Sequence, residues 1–262
     1  MAYTFISGAT GGIGKAFSIA CAKKGYNLFL TGRSQEKLLQ LKEEVLKTND
    51  KIFVEIFAMD ITSENNRGQL IEYIDKKGII FDRIINVAGV DTQKGFLEYT
   101  HQKVLFQIRV NAEGTIALTH QLLSRRALGL ELLTISSMSG ACPMPYFALY
   151  SATKAMLTNF FTSMHYELKK QKVKVTVVLP GGVPTRPDII EDIKGQGVWG
   201  KLSSKSAEFV AEKSLKAVRK NKVKYIPGFF NKLLNFLMKL VPNCIKLPFI
   251  ARRWSKINKD AF

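Results

Sequence analysis

Seven short runs rich in β-branched and aromatic residues recur along this chain: YTFIS, YNLFLT, KIFVEIFAM, DRIINVAG, LELLTIS, VKVTVVLPG and KVKYIP. Longer stretches with helical periodicity separate them. Within most runs the apolar residues are nearly continuous rather than alternating, so both faces of each strand must be covered. That combination predicts an α/β fold, a doubly wound parallel sheet of about seven strands with helices on both faces. Ligands of such sheets bind at the carboxyl ends of the strands, which makes the residues just after each run the informative ones.

The chain has 262 residues, 46% of them hydrophobic, enough for one large α/β domain. No linker, repeat or low-complexity tract divides it. TFISGA turns into a glycine-rich loop after one short strand, which leaves no room for a signal peptide and predicts that the N-terminus is already part of the fold. Cys21, Cys142 and Cys244 are few, odd in number and far apart, which predicts a reducing, cytoplasmic setting. His101, His120 and His165 do not cluster with them, so no metal site is expected. The net charge of +18 fits nucleic acid, anionic lipid, an anionic cofactor or simply a solvated basic surface. No interleaved basic and aromatic recognition motif is present, so nucleic acid is not expected as a partner.

The first strand is followed by SGATGGIGKAF, in which Gly8, Gly12 and Gly14 allow a tight turn, close backbone approach to a pyrophosphate and close packing of the next helix. A P-loop is excluded by the five residues between Gly8 and Gly14 and by Ala16 after Lys15, and the spacing is not G-x-G-x-x-G either. The second strand ends in TGRSQEKL. A carboxylate at this point would hold a ribose 2′-hydroxyl, but Arg33 stands there, with Ser34 and Lys37 nearby. A guanidinium pairs with a 2′-phosphate, which favours NADPH/NADP+ over NADH.

YSATKAM places Tyr150 and Lys154 one helical turn apart, but Tyr73 and Lys77, Tyr99 and Lys103, and Tyr166 and Lys170 share that spacing. Spacing alone does not choose among them.

Taken with the glycine loop, the ordered motifs from residue 3 to about 185 resemble the short-chain dehydrogenase/reductase family, whose domain is a Rossmann fold. The loop is similar to T-G-x-x-x-G-x-G with Ser7 for the usual threonine, and the resemblance puts Gly8, Thr10, Gly11, Gly12, Ile13 and Gly14 on the cofactor. MDIT places Asp60 at the adenine amino group and Ile61 beside the ring. NVAG resembles the family's N-N-A-G and adds Asn86, Ala88 and Gly89. Asn111 in IRVNAEGT matches the helix asparagine, which holds a water in the proton relay. Counting thirteen residues back from each tyrosine reaches a serine only from Tyr150, and that serine is Ser137 in ISSMSG. The resemblance therefore implies a catalytic set of Asn111, Ser137, Tyr150 and Lys154. Tyr150 would be the general acid/base, with its pKa lowered by the Lys154 charge. Ser137 rather than its neighbour Ser136 would bind the substrate oxygen, because adjacent strand residues face opposite ways. Lys154 would also hold the nicotinamide ribose. PGGVPT adds Pro180, Gly181, Val183 and Thr185, the last two on the carboxamide.

Residues 1–227 are thus expected to form the catalytic domain, with a loop-like substrate lid over 186–207. Ile189, Ile190, Ile193, Val198 and Trp199 of the lid, with Met138, Cys142, Met144 and Phe147, would wall a site for a lipophilic alcohol or ketone. Within that wall the substrate contacts are assigned to Ser137, Met138, Met144, Phe147, Tyr150, Ile189 and Trp199. A hydroxysteroid is the favoured substrate, a 3-ketoacyl or other lipid chain the alternative, and a catalytically silent NADP(H) sensor the non-enzymatic rival. Family members pair through two long helices, here about 101–126 and 149–170, so a homodimer or homotetramer is expected. The tail, residues 228–262, reads as a basic amphipathic extension broken at Pro242 and Pro248. Two readings of it stand together: a peripheral helix on an anionic membrane, or a flap over the pocket or a subunit interface.

Overall fold

The structure, a computed structural model, describes residues 1–195, 197–255 and 259–260, and the side chains of Trp199, Lys259 and Asp260 lie outside the description. Its strands are β1 (Ala2–Ser7), β2 (Leu28–Gly32), β3 (Val54–Ala58), β4 (Ile80–Asn86), β5 (Thr92–Gln93), β6 (Arg126–Ile135), β7 (Lys174–Val178), β8 (Lys224–Tyr225) and β9 (Lys259–Asp260). Seven of them form one sheet in the order β3-β2-β1-β4-β6-β7-β8. Every pairing in it is parallel, as the near-continuous apolar runs predict.

Successive residues in each central strand enter opposite layers. Ile6, Leu30, Ile85 and Leu133 pack into one core with Phe17, Leu38 and Leu215. Their neighbours Phe5, Phe29, Ile84 and Leu132 pack into the other with Leu70, Leu118 and Phe161. The first layer is closed by α1 (Gly12–Ala22), α2 (Gln35–Thr48) and α9 (Ala207–Arg219), the second by α3 (Glu64–Lys76), α5 (Gly114–Leu123) and α6 (Ala148–Glu167). Ser34, Ser63 and Ser206 start three of these helices by accepting the backbone N–H of Lys37, Asn66 and Phe209.

The long helix expected over 101–126 runs without interruption from His101 to Leu123, with one wider turn inside it. Helix α4 (His101–Ile108) runs into a π turn, Arg109–Glu113, before α5, and Arg126 already belongs to β6. The three central residues of the wider turn, Val110, Asn111 and Ala112, are all buried. The lid expected as a loop is two short helices, α7 (Pro187–Gly195) and α8 (Gly197–Ser203). Proline at the first position suits a helix start, and Ile189 and Ile193, four apart, turn inward while Val198 is 72% exposed.

The tail forms α10 (Phe229–Leu240) and α11 (Asn243–Trp254). The chain breaks at Pro242, but Pro248 lies within α11. The carbonyl it leaves unpaired is that of Cys244, an exposed residue, so water can satisfy it. The buried Asn231 fixes α10 to the domain by donating to the carbonyls of Ser203 and Pro227, both at 2.8 Å. Among the described residues no helix is long and apolar enough to cross a membrane.

Candidate active site

A cavity of about 880 Å³ opens along the carboxyl ends of the strands. One end is walled by the β1–α1 loop. Gly8 adopts φ +63°, which a side chain resists. A Cβ on Gly14 would lie 2.2 Å from the Gly8 carbonyl oxygen, so α1 can start this close to the loop only with glycine there. No side chain caps α1 and no acid stands in its first turn, so the positive end of the helix faces the cavity through Gly12, Ile13 and Gly14. Ser7, where the family has threonine, accepts the backbone N–H of Val87 at 3.2 Å and of Ala88 at 3.4 Å, tying β1 to the end of β4.

Arg33 and Lys37 line the cavity at the end of β2, both exposed and, among the described residues, neither in an ion pair. Thr10, Gly11, Asp60, Ile61, Ala88, Gly89, Pro180, Gly181, Val183 and Thr185 line it as well. Three expected residues stand behind the wall. Asn86 spends its amide on the hydroxyls of Thr119 and Thr134, at 2.9 and 3.2 Å, bracing α5 against β6. Ser34 is spent as the cap of α2. Asn111 is fully buried, with Oδ1 accepting Val90 N–H at 2.7 Å and Nδ2 donating to Val90 O and Thr153 Oγ1. Its side chain clasps the loop after β4 with both amide hydrogens engaged, which leaves the second lone pair of Oδ1 as its one remaining hydrogen-bonding position.

Ser137, Tyr150 and Lys154 meet at the middle of the cavity. Ser136 points the other way, as strand alternation predicts, and binds the Lys154 carbonyl and Thr158 at 2.8 and 2.7 Å. Ser137 Oγ accepts from the Ser139 N–H and hydroxyl. Lys154 Nζ donates to Ile135 O at 3.1 Å and stands 5.6 Å from the Tyr150 ring centre.

The electrostatics differ from the expected charge-lowered phenol. Burial pushes Tyr150 up from the usual tyrosine value and the Asp91 carboxylate adds to this, while Ser137 and Arg186 pull the other way. Burial also brings Lys154 down to about 8, against the pull of Asp91. With no other molecule bound, Tyr150 is a protonated phenol and Lys154 a cation near its titration point.

The far end of the cavity is apolar. Met138, Cys142, Met144, Phe147, Ile189 and Ile193 line it, whereas Trp199 lies outside the described residues and Ile190 is on the outer side. Sequence reasoning missed one further contribution. Asp91 and Arg186 form an ion pair at 2.8 Å joining the loop after β4 to the base of the lid. The one signal for it was position, since each lies within two residues after a strand-end motif. The tail reaches the pocket, as one of its two expected readings has it: Leu234, Met238, Ile250 and Trp254 line the cavity, and Trp254 lies nearly parallel to Phe147, 12° apart at 6.0 Å.

A tyrosine facing the cavity beside a serine hydroxyl and a lysine, next to an anion-accepting helix end, can deliver a proton to an oxygen held by the serine. Comparison with known proteins agrees with this geometry. The short chain dehydrogenase family model matches residues 2–190. The chain is 30% identical over 187 residues to a very-long-chain 3-oxoacyl-CoA reductase of Kluyveromyces lactis, covering 68% of this chain and 54% of that one. It is 34% identical over 184 residues to the enzyme of the same name from Neurospora crassa, with the same coverage. It therefore spans about half the length of the curated relatives it matches. A solved 7beta-hydroxysteroid dehydrogenase superposes with TM-score 0.81 at 22% identity, covering 97% of this chain and 96% of that one. The chain belongs to the short chain dehydrogenase family.

Proposed function

We propose that this chain is an NADPH-dependent reductase that converts the ketone of a 3-oxoacyl-type lipid chain to a secondary alcohol. The observation that carries this reading is the meeting of Ser137, Tyr150 and Lys154 between a basic, amide-lined cavity end and an apolar one. The cofactor fits the first end, because an uncapped helix start and two cations without carboxylate partners suit a diphosphate and a 2′-phosphate. Val183 and Thr185 would hold its carboxamide and Lys154 its ribose, and the nicotinamide would supply a hydride to the carbonyl carbon.

Ser137 donates a hydrogen bond to the ketone oxygen and Tyr150 delivers the proton to it as negative charge builds. The burial that raises the phenol's pKa keeps it protonated for this step, so reduction is the direction the apo site favours. Lys154, still mostly cationic at neutral pH, stabilises the phenolate left behind. Asn111 contributes by fixing the loop at Val90. The relatives' printed name supports an acyl chain, and the apolar cavity end suits one. A fused-ring ketone is the second reading, favoured by the flat wall of Phe147 and Trp254.

The same reading includes a homodimer or homotetramer, supported by Leu105 and Ile108 on α4 and Met156 and Tyr166 on α6, all at least 36% exposed.

The test is oxidation of NADPH and NADH by the purified chain with 3-oxoacyl thioesters and steroid ketones, using wild type and Tyr150→Phe. Turnover with NADPH on the thioesters, lost by at least about a thousandfold in the variant, is expected. Preference for steroid ketones would select the second reading. Cofactor binding without turnover on either class, or an active Tyr150→Phe, would refute the reductase.

A further inference from the structure

Helix α10 has a mixed inner face and an apolar outer one. Asn231, Leu234, Asn235 and Met238 follow the i, i+3, i+4, i+7 pattern of one face and line the cavity. On the opposite face Phe229, Leu233, Phe236, Leu237 and Leu240 are 81, 44, 58, 47 and 64% exposed. Helix α11 repeats the arrangement, with Ile250 and Trp254 inward and Ile245 and Phe249 at 64 and 73% exposure. A surface helix of an ordinary globular protein turns polar residues to water there, and a contiguous apolar patch of this kind marks a contact surface.

The charge around the patch identifies its partner. No Asp or Glu occurs between Glu212 and Asp260, while the two helices carry Lys232, Lys239, Lys246, Arg252 and Arg253. Among the described residues none of these five pairs with a carboxylate: Lys246 donates to the Met238 carbonyl and Lys232 lies over the Tyr225 ring. A second copy of the chain would bring like charges together across a two-fold contact with no acid to offset them. We propose that α10 and α11 dock on an anionic lipid surface, with Phe229, Phe236, Ile245 and Phe249 entering the headgroup boundary and Lys232, Lys239, Arg252 and Arg253 meeting lipid phosphates and carboxylates. Because the inner faces of the same helices line the apolar cavity end, docking places that end against the lipid from which a lipophilic ketone would come. That consequence rests on the reductase reading, whereas docking itself does not.

The test is co-sedimentation of the full chain with phosphatidylcholine vesicles, with and without phosphatidylserine, at low and high salt. Two variants accompany it: Phe229→Ser/Phe236→Ser/Phe249→Ser, all at exposed positions, and Arg252→Gln/Arg253→Gln. Circular dichroism and NADPH binding report separately that the variants are folded. Wild type is expected to sediment with the anionic vesicles only, and less at high salt. The triple variant should stay in solution, and the double variant should partition on the order of twentyfold less, at about fivefold per charge removed. No sedimentation, equal recovery on neutral vesicles, or a triple variant that binds like wild type would overturn the proposal. So would a wild-type dimer that the triple variant dissolves into monomers, since a second copy would then cover the face.

Discussion

Replacing Lys154 by Met should make the cofactor-free protein more stable while abolishing its proposed turnover. Lys154 is only 3% exposed, and its ammonium donates to a neutral carbonyl, Ile135 O, at 3.1 Å. Burial brings its pKa from 10.5 down to about 8, a difference worth about 3 kcal/mol. The folded pKa is below the unfolded one, so the folded chain binds fewer protons between those values and its stability rises with pH there. The stability linked to this group is complete above about 10.5 and lost as pH falls to about 8, so at pH 7 the native state carries the full cost. Methionine has a similar unbranched stem and no charge, and loses one hydrogen bond worth about 1 kcal/mol. The expected gain for Lys154→Met is about 2 kcal/mol at pH 7, falling to zero or slightly below near pH 10.5. Urea denaturation of the cofactor-free variant and wild type at both pH values measures it. A variant less stable at pH 7, or a difference that does not change with pH, would refute the reasoning.

Gly14→Ala should lower the unfolding free energy, read from urea denaturation, by about 3 kcal/mol or prevent folding, because its Cβ would meet backbone atoms, the Gly8 oxygen at 2.2 Å and the Ala9 Cα at 2.8 Å, that cannot step aside. Arg33→Asp should weaken NADPH binding on the order of a hundredfold while leaving or improving NADH binding, read by cofactor fluorescence. Equal losses for both cofactors would mean that Arg33 reads no 2′-phosphate. Tyr73→Phe should cost less than about 1 kcal/mol and leave turnover unchanged, since it removes one hydrogen bond to the half-buried Glu55. A large loss of activity would assign that pair a role its position far from the cavity does not explain.

The sheet was legible because its central strands are buried on both sides, so burial itself writes an almost unbroken apolar run at Phe5–Ile6, Leu28–Leu30 and Leu132–Leu133. The glycine loop and Ser137 were legible because backbone proximity and strand alternation are local properties. The tail was legible only as two open readings, because periodicity marks an apolar face without saying what covers it: Leu234 and Met238 face the cavity, Phe229 and Phe236 face water, and all four count as apolar. The π turn escaped notice since it adds a residue to one turn without changing composition. The Asp91–Arg186 pair joins residues 95 positions apart, and nothing local to either predicts the other.

Two of the four Tyr-x-x-x-Lys pairs show why spacing could not choose the site. Tyr73 and Lys77 share the Glu55 carboxylate, at 2.7 Å from the phenol and 2.9 Å from the ammonium, and hydrogen bonds to Tyr73 and Glu55 hold Lys77 above its ordinary pKa. The proton stays on that lysine, and the assembly acts as a surface brace. Lys154 has the same relation to Tyr150 but no carboxylate in contact, and burial drives its pKa the opposite way. A buried cation whose charge is offset only in part, by Asp91 without direct contact, is poised to stabilise any negative charge that arises beside it. The cost that makes Lys154 a liability for stability is the same free energy that it can return to a phenolate during proton transfer. A carboxylate beside Lys154 would remove the liability and the catalytic capacity together.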